Sequence, residues 1–177
     1  MKRINVLWIF GMVVALVLSA STNTYAQSKI RYINSQRILA EYPEAQQVQK
    51  QLDEIRAGYE KEYQQMLTDY ENLIKEIENQ SLLLSPEKKA EKEKQAQELG
   101  LKIEKYRMDK LGPQGEFYRE NMRLTQPLYD KIDQVIQKIG DEEGYDFILD
   151  VVQGVVLYAK PEYDITDRIL EELNKTK

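Results

Sequence analysis

The chain has neither cysteine nor histidine among its 177 residues. These absences exclude zinc-finger and thiolate metal sites, a thiol nucleophile, the usual haem ligation, a Ser-His-Asp triad and any disulfide framework. A cysteine-free chain is also indifferent to the redox state of its compartment. Glycine is scarce, at 8 residues, and neither G-x-G-x-x-G nor G-x-x-x-x-G-K-[ST] occurs, so no cradle for a nucleotide phosphate is present. Basic residues are outnumbered, 25 Lys and Arg against 30 Asp and Glu, for a net charge of −5. That balance argues against nucleic acid as a partner. What the chain has is charge of both signs, 31% of residues, and tyrosine, 12 against 3 Phe and 1 Trp. Such a composition suits about one domain with a solvated, helix-rich surface.

Met1-Lys2-Arg3 is followed by an apolar run from Val6 to Leu18 and a polar stretch ending Thr24-Tyr25-Ala26. Small residues then precede a break, which predicts a secretory signal peptide cleaved after Ala26. The alternative is an uncleaved anchor, for which the run is short against the ~20 residues of a bilayer span. No cysteine follows the run, so lipid attachment there is excluded. Cleavage removes Trp8, Lys2 and Arg3, leaving 151 residues with 23 basic and 30 acidic side chains, a net charge of −7.

Lys29–Gln36 alternates as a short strand with two partly buried faces, and Arg37–Ala40 leads out of it as a helical turn. Pro43 opens a helix whose apolar positions step by 3 and 4: Ala45, Val48, Leu52, Ile55, Tyr59, Tyr63, Met66, Tyr70, Leu73 and Ile77. The two steps of 4 through Tyr59 and Tyr63 break the strict heptad, as in a stutter. Pro43–Gln80 would be ~57 Å long. After Ser81-Leu82-Leu83-Leu84, the Ser85-Pro86-Glu87 sequence restarts a helix: Ser as N-cap, Pro at the first position, an acid in the first turn. Its apolar positions are Leu99, Ile103, Tyr106, Leu111, Tyr118, Met122, Leu128, Ile132, Val135, Ile136 and Ile139, ending near Gly140-Asp141-Glu142-Glu143-Gly144. The short connection makes the two helices an antiparallel coiled-coil hairpin.

Leu111-Gly112-Pro113-Gln114-Gly115 interrupts the second helix, where an interior Pro costs about 3 kcal/mol. Folded about the turn, residues whose numbers sum to about 167 face each other. Gly58 and the Gly112, Pro113, Gly115 segment then lie at one height, as a working hinge or a static kink. Pro127 predicts a further bend. Beyond the helix, Tyr145–Val152 reads as a strand, Gln153-Gly154 as a tight turn and Val155–Ala159 as its hairpin partner. Asp164 caps a last amphipathic helix, with Asp167 in the capping-box position and Ile165, Ile169 and Leu173 on its buried side. Three short strands leave open edges, and a body this small is marginal alone, so the physics predicts an oligomer of unspecified size. Ile30, Tyr32, Ile148, Val155 and Leu157 are the interface candidates.

Chemistry is hard to find. The pairs Glu76/Glu78 and Glu91/Glu93 stand among lysines on solvated helices, without the shelter that shifts a catalytic pKa. Asp141-Glu142-Glu143 lacks the alternating spacing of a Ca²⁺ loop. Neither catalytic, cofactor-binding nor metal-ligating residues are expected, so no cofactor is. From Glu87 to Lys110 there are 8 basic and 6 acidic residues, which read first as i,i+4 pairs and second as an attraction for acidic cargo or a membrane surface. The distinctive set is apolar and adaptable: Tyr59, Tyr63, Met66, Tyr70, Leu82, Leu83, Leu84, Tyr106, Met108, Tyr118 and Met122. Tyr joins apolar area to a polar handle and Met adapts its shape, which suits contact with an unfolded chain; the plainer role is to fill the coiled-coil seam.

The signal peptide, KIRYINSQRIL, the charged hairpin, PLYDKIDQVIQKIG, GYDFILD, VVLYA and YDITDRILEELN, in that order, resemble the Skp/OmpH family of periplasmic chaperones. The resemblance covers nearly the whole mature chain and is strongest at Ile30–Leu39 and Pro127–Leu173. It implies an α+β fold, a long helical hairpin projecting from a small β body that forms an intersubunit barrel in a homotrimer. It also implies a periplasmic holdase, independent of ATP, that holds unfolded outer-membrane proteins in a cavity between helical arms. The domain limits would be 1–26 signal peptide, 27–42 first strand and turn, 43–126 arm, and 127–177 base of the second helix, hairpin and last helix. A structural coiled-coil scaffold or tether of the cell envelope is the alternative. The best-known members are strongly basic, whereas this chain is acidic.

Overall fold

The computed structural model describes residues 28–80, 83–154 and 156–175. The signal segment, Leu82 and Val155 lie outside them. In chain order the elements are β1 (Ile30–Ile33), α1 (Ser35–Glu41), α2 (Pro43–Gln80), α3 (Pro86–Tyr106), a π-helical turn (Arg107–Leu111), α4 (Glu116–Glu143), β2 (Phe147–Asp150), a 3₁₀ turn (Pro161–Tyr163) and α5 (Thr166–Lys175).

The expected hairpin between Tyr145–Val152 and Val155–Ala159 does not form among the described residues. Instead β2 pairs with β1 in parallel, in the register Ile30↔Phe147, Arg31↔Ile148, Tyr32↔Leu149 and Ile33↔Asp150. A parallel pair needs a long crossover, and here the whole helical hairpin supplies it. This pairing seats Ile33 in the core and Ile148 against it. On its other side β1 meets the start of the last helix: Ile165 N donates to Tyr32 O at 3.0 Å. The strands are also shorter than the sequence predicts, four residues each.

Capping sets the helix limits. The Asn34 side chain accepts from Arg37 N at the start of α1, and Ser85 accepts from Lys88 N at the start of α3. Gly144 stops α4 in the left-handed region at φ 65°, where a side chain is strained. The α5 cap differs from expectation. Asp164 accepts from Thr166 N and from the Thr166 hydroxyl, whereas Asp167 does not close a capping box and pairs with Arg37 across the body.

The core lies where these parts meet. Ile33, Ile38, Tyr42 and Ala45 pack with Leu128, Ile132, Val135 and Ile139 of α4 and with Ile165, Ile169, Leu170 and Leu173 of the last helix. Arg31 lies over the rings of Tyr145 and Tyr163, at 4.7 and 5.3 Å. Glu172 ties the last helix to α4 through Lys138 at 2.5 Å and accepts from Arg168 at 3.1 Å. From this base the α2–α3 hairpin projects. Pro127 does not end α4, which runs unbroken through it. A helix packed along its length by four fully used core residues tolerates one lost hydrogen bond.

Candidate functional site

The arm is a pair of helices sealed along one seam. Met66, Leu52, Ala96 and Ile103 are buried in it. Tyr59, Tyr63, Tyr70 and Tyr106 are half-buried there, so these five of the adaptable residues (Met66 included) serve the arm itself. The Tyr70 ring lies 3.7 Å from where a Cβ on Gly100 would stand, so the glycine leaves room for the aromatic. Lys92 and Glu76 pair across the helices at 2.9 Å. The basic stretch of α3 is similarly committed: Lys94 to Glu98, Lys105 to Asp109 at 2.9 Å and Arg107 to Glu104 at 2.8 Å. Its lysines and arginines mostly solvate the helix as pairs.

The interruption is a built feature. Arg107–Leu111 widens into a π-helical turn, and Gly112 and Gly115 continue it in extended backbone. Both glycines are needed for close approach, not for an unusual φ. A Cβ at Gly112 would stand 2.4 Å from Met108 O, and one at Gly115 would stand 2.9 Å from Lys110 O. Polar groups pin the loop to α2. Tyr106 donates to Glu62 at 2.9 Å, Tyr59 donates to Glu116 at 3.1 Å, and Lys110 donates to Glu116 at 2.5 Å. Burial, then the carboxylate of Glu62, pushes the Tyr106 phenol up to about 12. The Lys110 ammonium and the Tyr59 hydroxyl hold Glu116 below the usual carboxylate range.

The loop also shifts the pairing. Facing residues toward the tip sum to 168, as in Glu62–Tyr106 and Glu76–Lys92, close to the expected 167. Below the loop they sum to 175, as in Tyr59–Glu116 and Glu44–Lys131. Seven residues, one heptad, are taken out of the coil. The expectation that both helices are weakened at this height is half corrected: α2 runs straight through Gly58, because one glycine costs only about 1 kcal/mol in a helix of 38 residues. The break is confined to the Gly112, Pro113, Gly115 side.

Other adaptable residues face water. Leu83 is 85% exposed at the tip, Met108 is exposed beside the loop, and Tyr118 and Met122 are exposed on α4. Leu84 is half-buried and Leu82 lies outside the described residues. Sequence spacing misplaces Tyr118 and Met122 in the seam; Phe117 and Leu124, half-buried, lie closer to it. It also misses exposed Leu101 and Tyr129. Tyr129 follows Met122 by seven residues, and that spacing was the available signal.

At the body, Ile30, Phe147, Leu149 and Leu157 are exposed, Leu157 at 95%. Tyr32 is half-buried in the sheet. Ile148 is half-buried and packs against the core of its own chain. The pleat explains it, since neighbours in a strand face opposite ways. Phe147 and Leu149 hold the outer face that Ile148 was expected to share. Ile30, Tyr32, Leu149, Val156 and Tyr158 line an open cavity of about 800 Å³ there. Of the acidic group at the end of α4, Glu142 pairs with Lys138 and Glu143 pairs with Arg168.

Comparison with known proteins matches this architecture. A family model described as outer membrane protein (OmpH-like) fits residues 29–173. A Skp chaperone of Yersinia enterocolitica is 25% identical over 170 residues, covering 94% of this chain and 98% of the relative. One from Vibrio cholerae is 23% identical over 163 residues, 92% of this chain and 94% of the relative. A solved OmpH-like structure from Caulobacter crescentus superposes with a TM-score of 0.72 at 16% identity, over 89% of this chain and 90% of the other. A fold of helical arms on a small parallel sheet, matched over nearly its whole length by these relatives, places the chain in the OmpH-like (Skp) family of chaperones.

Proposed function

We propose that the mature chain is an ATP-independent periplasmic holdase that captures unfolded outer-membrane β-barrel proteins between the helical arms of a homotrimer. The observation that carries the reading is a surplus. The arm seam is already filled, and Leu83, Met108, Tyr118 and Met122 remain exposed outside it. Tyr and Met side chains of this kind offer adaptable apolar area to a partner. Unfolded β-barrel chains expose alternating apolar residues that aggregate through strand edges. Many weak contacts with such a chain favour U over the aggregate and lower its free concentration.

Assembly through the body completes the proposal. The open edge of β2, with Phe147 and Leu149 exposed, and the uncovered Leu157 and Tyr158 support pairing with further copies. Ile30, Tyr32, Val155 and Leu157 are assigned to that interface. The Gly112–Gly115 loop, opposite Gly58, serves as the joint that fits the arm to clients of different size. Signal cleavage after Ala26 delivers the chain to the periplasm. The test is dilution of a urea-unfolded β-barrel precursor into the mature protein without nucleotide, followed by light scattering. A stable soluble complex of defined mass supports the holdase; unchanged aggregation leaves the structural tether.

A further inference from the structure

The cavity of about 800 Å³ on the outer face of the sheet is walled by Ile30, Tyr32, Leu149, Val156, Tyr158 and Ala159. Ile30, Leu149 and Tyr158 are 45%, 40% and 84% exposed, so the described residues leave this apolar lining uncovered. Its size is that of a site for a compact apolar ligand, about 300–1,000 Å³. Ser28 belongs to the wall. The chain before Ser28 lies outside the described residues, and it leaves the fold at the cavity itself. The charged side chains that line the cavity, Lys29, Arg31 and Lys160, are all basic.

We infer that, until the signal segment is cleaved, its apolar run Val6–Leu18 docks in this cavity and keeps other copies of the chain off the same face. The inference rests on cleavage after Ala26 and on assembly through the body, and adds what holds the copies apart beforehand. Three observations carry it. The first is reach. Residues 19–27 join Leu18 to Ser28, and none of them is charged. Fully extended, those ten steps cover at most ~36 Å, and as a coil they average ~17 Å. The cavity wall is the fixed end of that tether. Exposed Leu83 at the arm tip does not compete, because the 38 residues of α2 set it ~57 Å away from the base. The second is fit. The run VLWIFGMVVALVL carries no charge. Docked as a helix of ~20 Å, it lays one apolar side over the cavity and over exposed Phe147 on the same face of the sheet. The third is charge. Lys2 and Arg3 stand at the end of the run far from the tether, so the Leu18 end is the one that meets the basic rim. The last carbonyls of a helix favour cations, which Lys29, Arg31 and Lys160 supply. A short tether holds its two ends at an effective concentration on the order of 1 mM. A contact with an intrinsic Kd of ~0.1 mM is then closed about ten to one. Hydrolysis of the Ala26–Gln27 peptide bond consumes one water and leaves a carboxylate and an ammonium. It cuts the tether, the local advantage of the run is lost, and the face opens to a second copy.

The test compares the full chain of 177 residues with the chain from Gln27, both without detergent. Sedimentation should give the full chain the mass of a single copy and the mature chain the mass of the assembly. A peptidase that cuts after small residues should convert the first into the second. A full chain carrying Trp8→Phe and Leu16→Trp places its sole Trp near the tethered end of the run. Acrylamide should quench that Trp several-fold less than in the same chain with Leu149→Asp, which puts a charge in the cavity. Val13→Ser, Val14→Ser and Val17→Ser alter only the run, so the body folds as before, and this full chain should assemble like the mature one. A full chain that assembles to the mature mass before cleavage overturns the inference. Equal quenching with and without Leu149→Asp, in a single copy or in a large aggregate, shows that the run lies elsewhere and also overturns it. A triple-Ser chain that stays single removes the run as the cause and does the same. A mature chain that stays single refutes assembly through the body instead, and the protection of Trp in the full chain then decides the docking by itself.

Discussion

Alanine substitution of the arm glycines should give opposite signs at positions that look equivalent in sequence. At Gly58 a Cβ would meet nothing within 4 Å, and α2 is helical on both sides. Ala there removes about 1 kcal/mol of backbone entropy cost. For a chain of 151 mature residues that raises Tm by about 2–4 °C. At Gly112 the Cβ would stand 2.4 Å from Met108 O, a backbone atom that cannot swing away. Overpacking of this kind costs about 1–3 kcal/mol and should lower Tm by at least 2 °C or so. Gly115→Ala, with contacts of 2.9 and 3.0 Å to Lys110 O and Asp109 O, should behave like a milder Gly112→Ala. Converting the loop to α-helix offers no escape. Seven more residues in register would lengthen that side by ~10 Å and drag Lys131 away from Glu44. The assay is thermal unfolding followed at 222 nm at one fixed protomer concentration, since assembly makes Tm depend on it. A rise in Tm for Gly112→Ala equal to that of Gly58→Ala would refute the close-approach argument and restore a plain helix-propensity account.

Three further outcomes are expected. Lys138 and Arg168 hold the Glu172 carboxyl at about 2, below its usual 4.5, so its contribution is complete above about pH 4.5 and is lost as pH falls toward 2; the Tm gap between wild type and Glu172→Gln should close over that window, and a constant gap would dismiss the pair. Leu149→Asp should dissociate the proposed assembly, measured by sedimentation, while leaving each chain folded, whereas Ile148→Asp should destabilise the chain itself because it sets an unpaired charge against the monomer core; dissociation without destabilisation by Ile148→Asp would reverse that assignment. The intact mass of the secreted form should correspond to a chain beginning at Gln27, and a mature species that keeps Trp8 would contradict cleavage after Ala26.

The sequence made some elements legible because their signals are local. Pro43–Gln80 emerges with both limits as read, since a Pro start and a 3–4 apolar step need no distant partner. Ser85-Pro86 starts α3 as expected for the same reason. Strand pairing was not legible. Ile148 and Val155 looked like two halves of a local hairpin, yet β2 pairs with a segment more than a hundred residues earlier, and that choice depends on helices that give Ile33 and Ile148 a floor. The exposed set on α4 was half legible. Tyr118 and Met122 drew attention by residue type, but counting them into the seam put them on the wrong face, since both are exposed while Phe117 and Leu124 are half-buried. Tyr129, seven residues after Met122, was legible by its spacing, and the structure adds that it lines the base cavity.

The loop at Gly112–Gly115 explains how an arm can be cut without losing its seam. A break that removed five or six residues would rotate α4 relative to α3 by more than about 100°, and the apolar faces above and below would point different ways. Removal of one heptad returns the seam to the same face, so Ile103 above the loop and Leu128 below it are both buried. Continuous α2 then acts as a spine and the pinned loop as its slack. Tyr59 is the residue at which both segments meet: its carbonyl accepts from Tyr106 above the loop at 3.4 Å, and its hydroxyl donates to Glu116 below it at 3.1 Å. Loss of that hydroxyl in Tyr59→Phe should free the lower pin alone. Spin labels near Leu83 should then report a broader distribution of tip distances at unchanged oligomer mass. An unaltered distribution would mean that Lys110 and Glu116 close the loop on their own and that Tyr59 merely fills the seam.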